Sequence, residues 1–186
     1  NQANAMVNVY TDGTVQVSTG ATEMGQGVHT KIRQLVADEF GIGVDSVSVM
    51  ITSTEKSNNT SPTSASVGTD LNGAAAVDAC RQIRERLARV AAMMLAEGGE
   101  KGGNAAMHMR FAGARVYDER GPQRTVAFRD LVHQARLERV DLGARGFYAT
   151  PGLDFHAASG QGRPFLYYTM GASVAVLVVD RFSGWL

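Results

Sequence analysis

The sequence predicts an α/β fold of the α+β type, a mixed sheet with hairpins and two main helices, and three observations predict it. Two runs alternate apolar and polar residues on either side of a turn signal; two longer segments repeat apolar residues at helical spacing; short alternating runs follow towards the C-terminus. At 186 residues the chain can form one sizeable core or part of a larger one. Lys plus Arg and Asp plus Glu both number 18, so no net basic field draws nucleic acid or an anionic membrane. Cys80 is the single cysteine, which excludes internal disulfides and thiolate zinc clusters and suits a reducing cytoplasm. Its default role is a small buried hydrophobe. No stretch has the apolar length of a membrane span; the longest, 171–179, is strand-sized.

Residues 6–10 and 14–18 alternate around Asp12-Gly13, a hairpin signal. Val28, Ile32, Leu35, Val36 and Phe40 recur at helical spacing over 28–40, and Gly41 with Gly43 ends the pattern. Residues 44–52 alternate through Val47, Val49 and Ile51 and predict a strand in the same sheet. Ala75, Ala79, Ile83, Leu87 and Val90 share one face of a helix over 71–96, with Arg81, Arg84, Glu85 and Arg86 elsewhere and Met93 and Met94 expected to fill core gaps. Residues 98–103 read as a mobile surface connection. Strands are expected over 107–117 and 124–128, a helix over 128–137 with Asp130 in its first turn, a Gly-rich turn over 159–162, and strands over 164–169 and 173–180. Asn1 is neither an initiator methionine nor part of a basic leader, and Trp185-Leu186 reads as the start of a return strand, so the chain is expected to be a segment of something longer.

Residues 20–30 form a glycine-rich loop ahead of the first helix. Gly20, Gly25 and Gly27 let main-chain N–H groups approach a ligand, and Thr22, Gln26 and Thr30 add polar side chains, so the loop reads either as an anion cradle at a helix N-terminus or as an ordinary strand-to-helix connection. It is not a P-loop, because Gln26 follows Gly25 and Lys31 lies inside the helix, and no Gly-x-Gly-x-x-Gly is present. Residues 52–69 are crowded with hydroxyls and read as a linker or as a second anion loop. Phe147, Tyr148, Phe165, Tyr167 and Tyr168 could stack on a flat ligand, though such alternation more often packs strands. His29, His108, His133 and His156 are dispersed without metal-ligand spacing, apart from Asp154 beside His156, and no nucleophile elbow occurs. Glu23 could act as a base, but a carboxylate in a glycine turn more often caps backbone N–H groups. The residues give binding loops and no catalytic constellation.

Three stretches carry a resemblance: Gly20-Ala-Thr-Glu-Met-Gly-Gln-Gly-Val-His-Thr-Lys31; Thr60-Ser-Pro-Thr-Ser-Ala-Ser66 with Thr69-Asp70 and Asn72-Gly73; and Gly146-Phe-Tyr-Ala-Thr-Pro151. In this order they resemble the large, molybdenum-binding subunit of the molybdenum hydroxylases, in its xanthine dehydrogenase branch. Asn1-Gln-Ala-Asn-Ala5 and Tyr10-Thr-Asp-Gly-Thr14 fit as well. The resemblance implies that 1–186 is a portion of a larger molybdopterin-binding domain, with subregions 1–97 and 104–186. It implies a molybdopterin cofactor held by Gly25, Gln26 and Gly27, with Gln26 a donor to the pterin; by Ser64, Ser66, Gly68 and Thr69 at pterin or phosphate; and by Ala65, whose backbone N–H stands beside molybdenum. Gly68 replaces a hydroxyl that relatives often carry. The implied reaction hydroxylates hypoxanthine or xanthine to urate in purine catabolism, in the cytoplasm, with the catalytic glutamate and the purine-gripping residues outside this segment. The segment is then inactive alone. Implied partners are the purine substrate, the rest of the molybdenum subunit, and 2Fe-2S and FAD groups on other domains or a partner subunit; a homo-oligomer is left open. The alternatives are another molybdenum hydroxylase of aldehyde oxidase type, or a non-catalytic α/β structural module.

Overall fold

The computed structural model describes residues 1–56, 59–96, 103–168 and 170–185. In chain order the elements are β1 (Gln2–Val9), β2 (Val15–Thr19), α1 (Val28–Phe40), β3 (Val47–Val49), α2 (Gly68–Met94), α3 (Gly103–Ala106), β4 (Met109–Ala112), β5 (Arg115–Asp118), β6 (Gly121–Ala127), α4 (Phe128–Leu137), β7 (Gly143–Ala149), β8 (Asp154–His156) and β9 (Gln161–Arg163), with 3-10 turns at Val44–Ser46 and Thr54–Lys56. The chain divides into two compact units, Asn1–Thr150 and Pro151–Leu186.

In the first unit one sheet has the order β3-β2-β1-β7, antiparallel except for the parallel β2–β3 pair that α1 connects. The predicted hairpin forms with Val9 opposite Val15, but β1 begins at Gln2 because its N-terminal half pairs with β7, a partner no local periodicity announces. Val7, Val17, Ile32, Val36, Phe40, Leu71, Ile83 and Leu87 are fully or almost fully buried between the sheet and the two helices. Burial of each such side chain contributes roughly 1.5–3 kcal/mol. A seam of small residues brings α2 against the sheet: Ala5 faces Gly146 in register, and a Cβ on Gly146 would collide with the Ala75 carbonyl and stand 2.5 Å from the Ala79 nitrogen. Along the same seam Asp78 accepts the Phe147 N–H (3.0 Å), Gln82 donates to the Arg145 carbonyl (3.0 Å) and Arg86 donates to the Gly143 carbonyl (2.9 Å). Glu39 on α1 accepts from Arg81 and Arg84 on α2. A second sheet, β4-β5-β6, is antiparallel, and α4 packs near it through Phe128, whose ring lies 5.7 Å from that of Phe40.

Several expectations are corrected. Residues 44–46 form a turn, and only Val47–Val49 join the sheet, because Arg33 draws the carbonyls of Val44 and Val47 towards α1 (2.9 and 2.8 Å). Ile51 is exposed. The helix placed over 71–96 starts three residues earlier, at Gly68, and Met93 and Met94 face outwards, off the buried stripe of Ala76, Ile83, Leu87 and Val90. The run 107–117 is a hairpin, β4 and β5, turned at Gly113 and Ala114. The connection at 98–103 falls on 97–102, outside the described residues, except for Gly103, which opens α3. In the second unit β8 and β9 pair around the expected glycine turn, but no strand forms at 164–168 or 173–180; a strand needs a partner for its N–H and C=O groups, and alternation supplies only the propensity. Residues 181–183 form a turn in which Asp180 accepts from the N–H groups of Phe182 and Ser183. Among the described residues no helix is long and apolar enough to cross a membrane.

Candidate functional site

The glycine-rich loop leaves β2 at Thr19 and enters α1 at Gly27, and its conformation is set from inside. Glu23 Oε1 accepts the N–H groups of Gly25 and Gly27, both at 2.9 Å, and Oε2 accepts that of His29 at 3.0 Å. Those hydrogen bonds, the one from His29 foremost, hold the Glu23 carboxyl below the usual glutamate range. Gly25 and Gly27 have φ of 95° and 75°, a region closed to side chains with a Cβ at low cost, and this lets two consecutive turns of backbone point N–H groups at one carboxylate. Gln26 closes the loop from the other side: its Oε1 accepts the Met24 N–H and its Nε2 donates to the Thr22 carbonyl at 2.9 Å. The primary amide has a second N–H hydrogen, and Gln26 is exposed. The anion-cradle reading of the loop is thereby narrowed. The N–H groups of Gly25, Gly27 and His29 serve Glu23, which is the capping role.

The hydroxyl-rich segment is pinned, unlike a linker. Ser61 donates its N–H to the Gln2 carbonyl (2.9 Å) and accepts the Gln2 N–H on its hydroxyl (3.1 Å), while Asn4 donates its N–H to Thr60 Oγ1 (3.2 Å) and its side-chain amide to the Asn59 carbonyl (3.2 Å). Thr63 Oγ1 accepts the Thr22 N–H at 3.0 Å, so the two loops are joined directly. Gly20 makes room for this junction: a Cβ there would stand 2.8 Å from Thr60 Cβ. Thr52 donates to the Ala21 carbonyl at 2.8 Å, and His29 Nε2 approaches the same oxygen at 3.0 Å.

The segment then reaches the start of α2. Ala65 has φ of 51°, a left-handed conformation that costs a residue with a Cβ about 1–2 kcal/mol. Val67 precedes the helix without any side-chain cap. The N–H groups of Ala65 and Gly68 and the hydroxyls of Ser64, Ser66 and Thr69 have no hydrogen-bond partner among the described residues. Of the two helix N-termini at these loops, that of α1 is satisfied by Glu23, whereas that of α2 has no side-chain cap on Val67 and carries Asp70 in its first turn. The first turn of α2 is held by buried Asn72, which donates to the Gly68 carbonyl (3.1 Å) and accepts from Thr19 Oγ1 (2.8 Å).

The positions singled out in the sequence thus lie on two loops that the fold brings together, Gly25–Gly27 on one and Ser64–Thr69 on the other. Phe147 and Tyr148 lie on β7, with Tyr148 packed against the core; Phe165 and Tyr168 meet edge-on at 5.9 Å in the second unit. Thr52, Thr63 and Asn72 were not singled out for these roles, since each acts through a partner more than 30 residues away. Among the described residues no group of three or more His, Cys, Asp and Glu side chains is placed to hold a metal ion. Cys80 is buried, and burial raises its thiol pKa well above the usual range.

The sequence profile of the molybdopterin cofactor-binding domain matches residues 1–185. Curated xanthine dehydrogenases of Oryza sativa subsp. japonica and Arabidopsis thaliana (xanthine dehydrogenase 1) are 44% and 41% identical over 184 residues, 99% of this chain in both cases. The chain spans 11% of the length of each of these relatives. Among solved structures, quinoline 2-oxidoreductase from Pseudomonas putida 86 superposes with a TM-score of 0.71 at 23% identity, covering 81% of this chain and 19% of that one. CO dehydrogenase from Oligotropha carboxidovorans gives 0.64 at 23%, covering 80% and 18%. These two likenesses speak to the fold, which is of the expected α/β class. With the profile spanning residues 1–185, the chain belongs to the molybdopterin cofactor-binding domain family.

Proposed function

We propose that this chain is the part of a xanthine dehydrogenase, a molybdenum hydroxylase, that supplies the loops holding its molybdopterin cofactor. The observation that carries the reading is the donor set left open beside the glycine loop: the N–H groups of Ala65 and Gly68, the hydroxyls of Ser64, Ser66 and Thr69, and the second amide hydrogen of Gln26. A pterin with a phosphate tail is rich in acceptors and carries negative charge, and this set fits it, since every open group can donate and the uncapped start of α2 adds a favourable dipole. When bound, the molybdenum centre supplies the redox chemistry that hydroxylates a purine carbon, hypoxanthine or xanthine on the way to urate in cytoplasmic purine catabolism.

This chain's residues bind and orient. Gln26 would donate to the pterin; Ser64, Ser66, Gly68 and Thr69 would donate to pterin or phosphate; Ala65 would offer its N–H beside the metal, its methyl side chain taking little space there. The general base and the purine contacts would come from segments other than residues 1–186, and 2Fe-2S and FAD groups on other domains or a partner subunit would supply the route for electrons. Isolated, the chain is inactive. Replacing Gln26 by Ala in the full-length enzyme is expected to lower its molybdenum and pterin content about ten-fold, as loss of an orienting contact commonly does. Unchanged content would refute the reading and favour a structural role for the loops.

A further inference from the structure

We propose that Glu23 is the positioning residue of the cofactor loop: its carboxylate fills the N-terminal end of α1 and holds Gln26 in place. This rests on the cofactor-binding reading above. Three N–H groups, of Gly25, Gly27 and His29, converge on the two oxygens of one side chain at 2.9–3.0 Å, and the backbone between them includes Gln26. Gln26 is thus clamped twice, by Glu23 on the N–H groups either side of it and by its own amide bridging Met24 and Thr22.

Removing the carboxylate does two things. The N–H groups lose their common acceptor, so the loop gains freedom and Gln26 loses its fixed direction. The N-terminus of α1 also becomes open to anions, a second cradle competing with the intended one. His29, whose N–H is the leading contact, is the titratable group that adds an electrostatic pull on Glu23.

The first test needs no cofactor. In the 186-residue chain the amide proton resonances of Gly25, Gly27 and His29 are followed by NMR between pH 7 and pH 3. They are expected to move together with one midpoint below the usual glutamate value of about 4.3, and that step is expected to vanish in Glu23→Gln. Persistence of the acidic step in Glu23→Gln overturns the proposal. The second test measures molybdenum and pterin in the full-length enzyme carrying Glu23→Ala, Glu23→Gln or Gln26→Ala. Glu23→Ala is expected to lower content about ten-fold, and Glu23→Gln by less, because its amide oxygen still accepts from Gly25 and Gly27 while its NH2 opposes the His29 N–H. Full content in Glu23→Ala with loss in Gln26→Ala overturns the Glu23 proposal and leaves the cofactor reading standing; full content in both removes that reading. If Glu23→Ala misfolds, Glu23→Gln with an unchanged circular dichroism spectrum decides the same question.

Discussion

Gly146→Ala is the sharpest test of how α2 meets the sheet. The added Cβ would overlap the Ala75 carbonyl oxygen and lie 2.5 Å from the Ala79 nitrogen, and both are backbone atoms of a helix, unable to rotate away. Restoring ordinary contact requires β7 and α2 to separate by on the order of 1 Å, in a core packed like an organic crystal. That separation stretches the hydrogen bonds from Asp78, Gln82 and Arg86 to β7, now 2.9–3.0 Å. Overpacking costs about 1–3 kcal/mol and each weakened hydrogen bond about 1 kcal/mol, less about 0.5–1 kcal/mol from the stiffer unfolded chain. A net loss of about 3–5 kcal/mol follows, a large part of the 5–15 kcal/mol typical of a domain. Urea denaturation of the 186-residue chain, followed by far-ultraviolet circular dichroism, should show a midpoint lower by about 1–2 M. Gly73→Ala is the control: its Cβ crowds the tip of the flexible Leu35 side chain, at 2.6 Å, with Thr69 Cγ2 at an ordinary 3.9 Å, and an alanine in a helix gains about 1 kcal/mol over glycine. It should stay within about 1 kcal/mol of the parent. Equal midpoints for Gly146→Ala and the parent, or equal damage from Gly73→Ala, would refute the close-seam account.

Asp118 is buried and paired with Arg120 and Arg124; the Arg120 hydrogen bond foremost holds its carboxyl at about 2, from an ordinary 3.8. Because the folded value is the lower one, its stabilisation is complete above about pH 4 and disappears as pH falls through 2, so Asp118→Asn should flatten the stability–pH curve in that window and lower neutral stability by about 1–2 kcal/mol. Ala65→Val places a β-branched side chain at a φ of 51° and should cost about 1–2 kcal/mol by thermal denaturation while lowering cofactor content in the full-length enzyme; unchanged values on both counts would place the left-handed turn outside the binding surface. Losses of molybdenum from Gln26→Ala and Glu23→Ala complete the set.

Local patterns were legible where one element decides its own structure. The stripe Val28, Ile32, Val36, Phe40 gave α1 its bounds, and Phe128 to Leu137 gave α4, because helical periodicity and buried face coincide. What escaped depended on partners distant in sequence: β1 starts at Gln2 because Ala149 of β7 pairs with it, and Val44–Ser46 turn because Arg33 binds the carbonyls of Val44 and Val47 on either side. Met93 and Met94 were assigned to the core from chemistry alone, yet the helix phase carries them outwards. At the site, Glu23 as a cap was legible from its place between glycines. The junction Thr22–Thr63 was not, since two hydroxyl-rich loops carry no local mark of which residues touch.

Asp78, Gln82 and Arg86 stand one helical turn apart on α2 and bond in sequence to Phe147, Arg145 and Gly143, the outward-facing backbone groups of β7. They act as a side-chain substitute for a further strand. With the Phe147 N–H and the carbonyls of Arg145 and Gly143 engaged, β7 presents fewer bare groups to a neighbouring chain, which blunts on this flank the strand-by-strand association that open edges invite. Loss of all three side chains would therefore convert a stability defect into a solubility defect, with β7 free to recruit the same strand from another molecule.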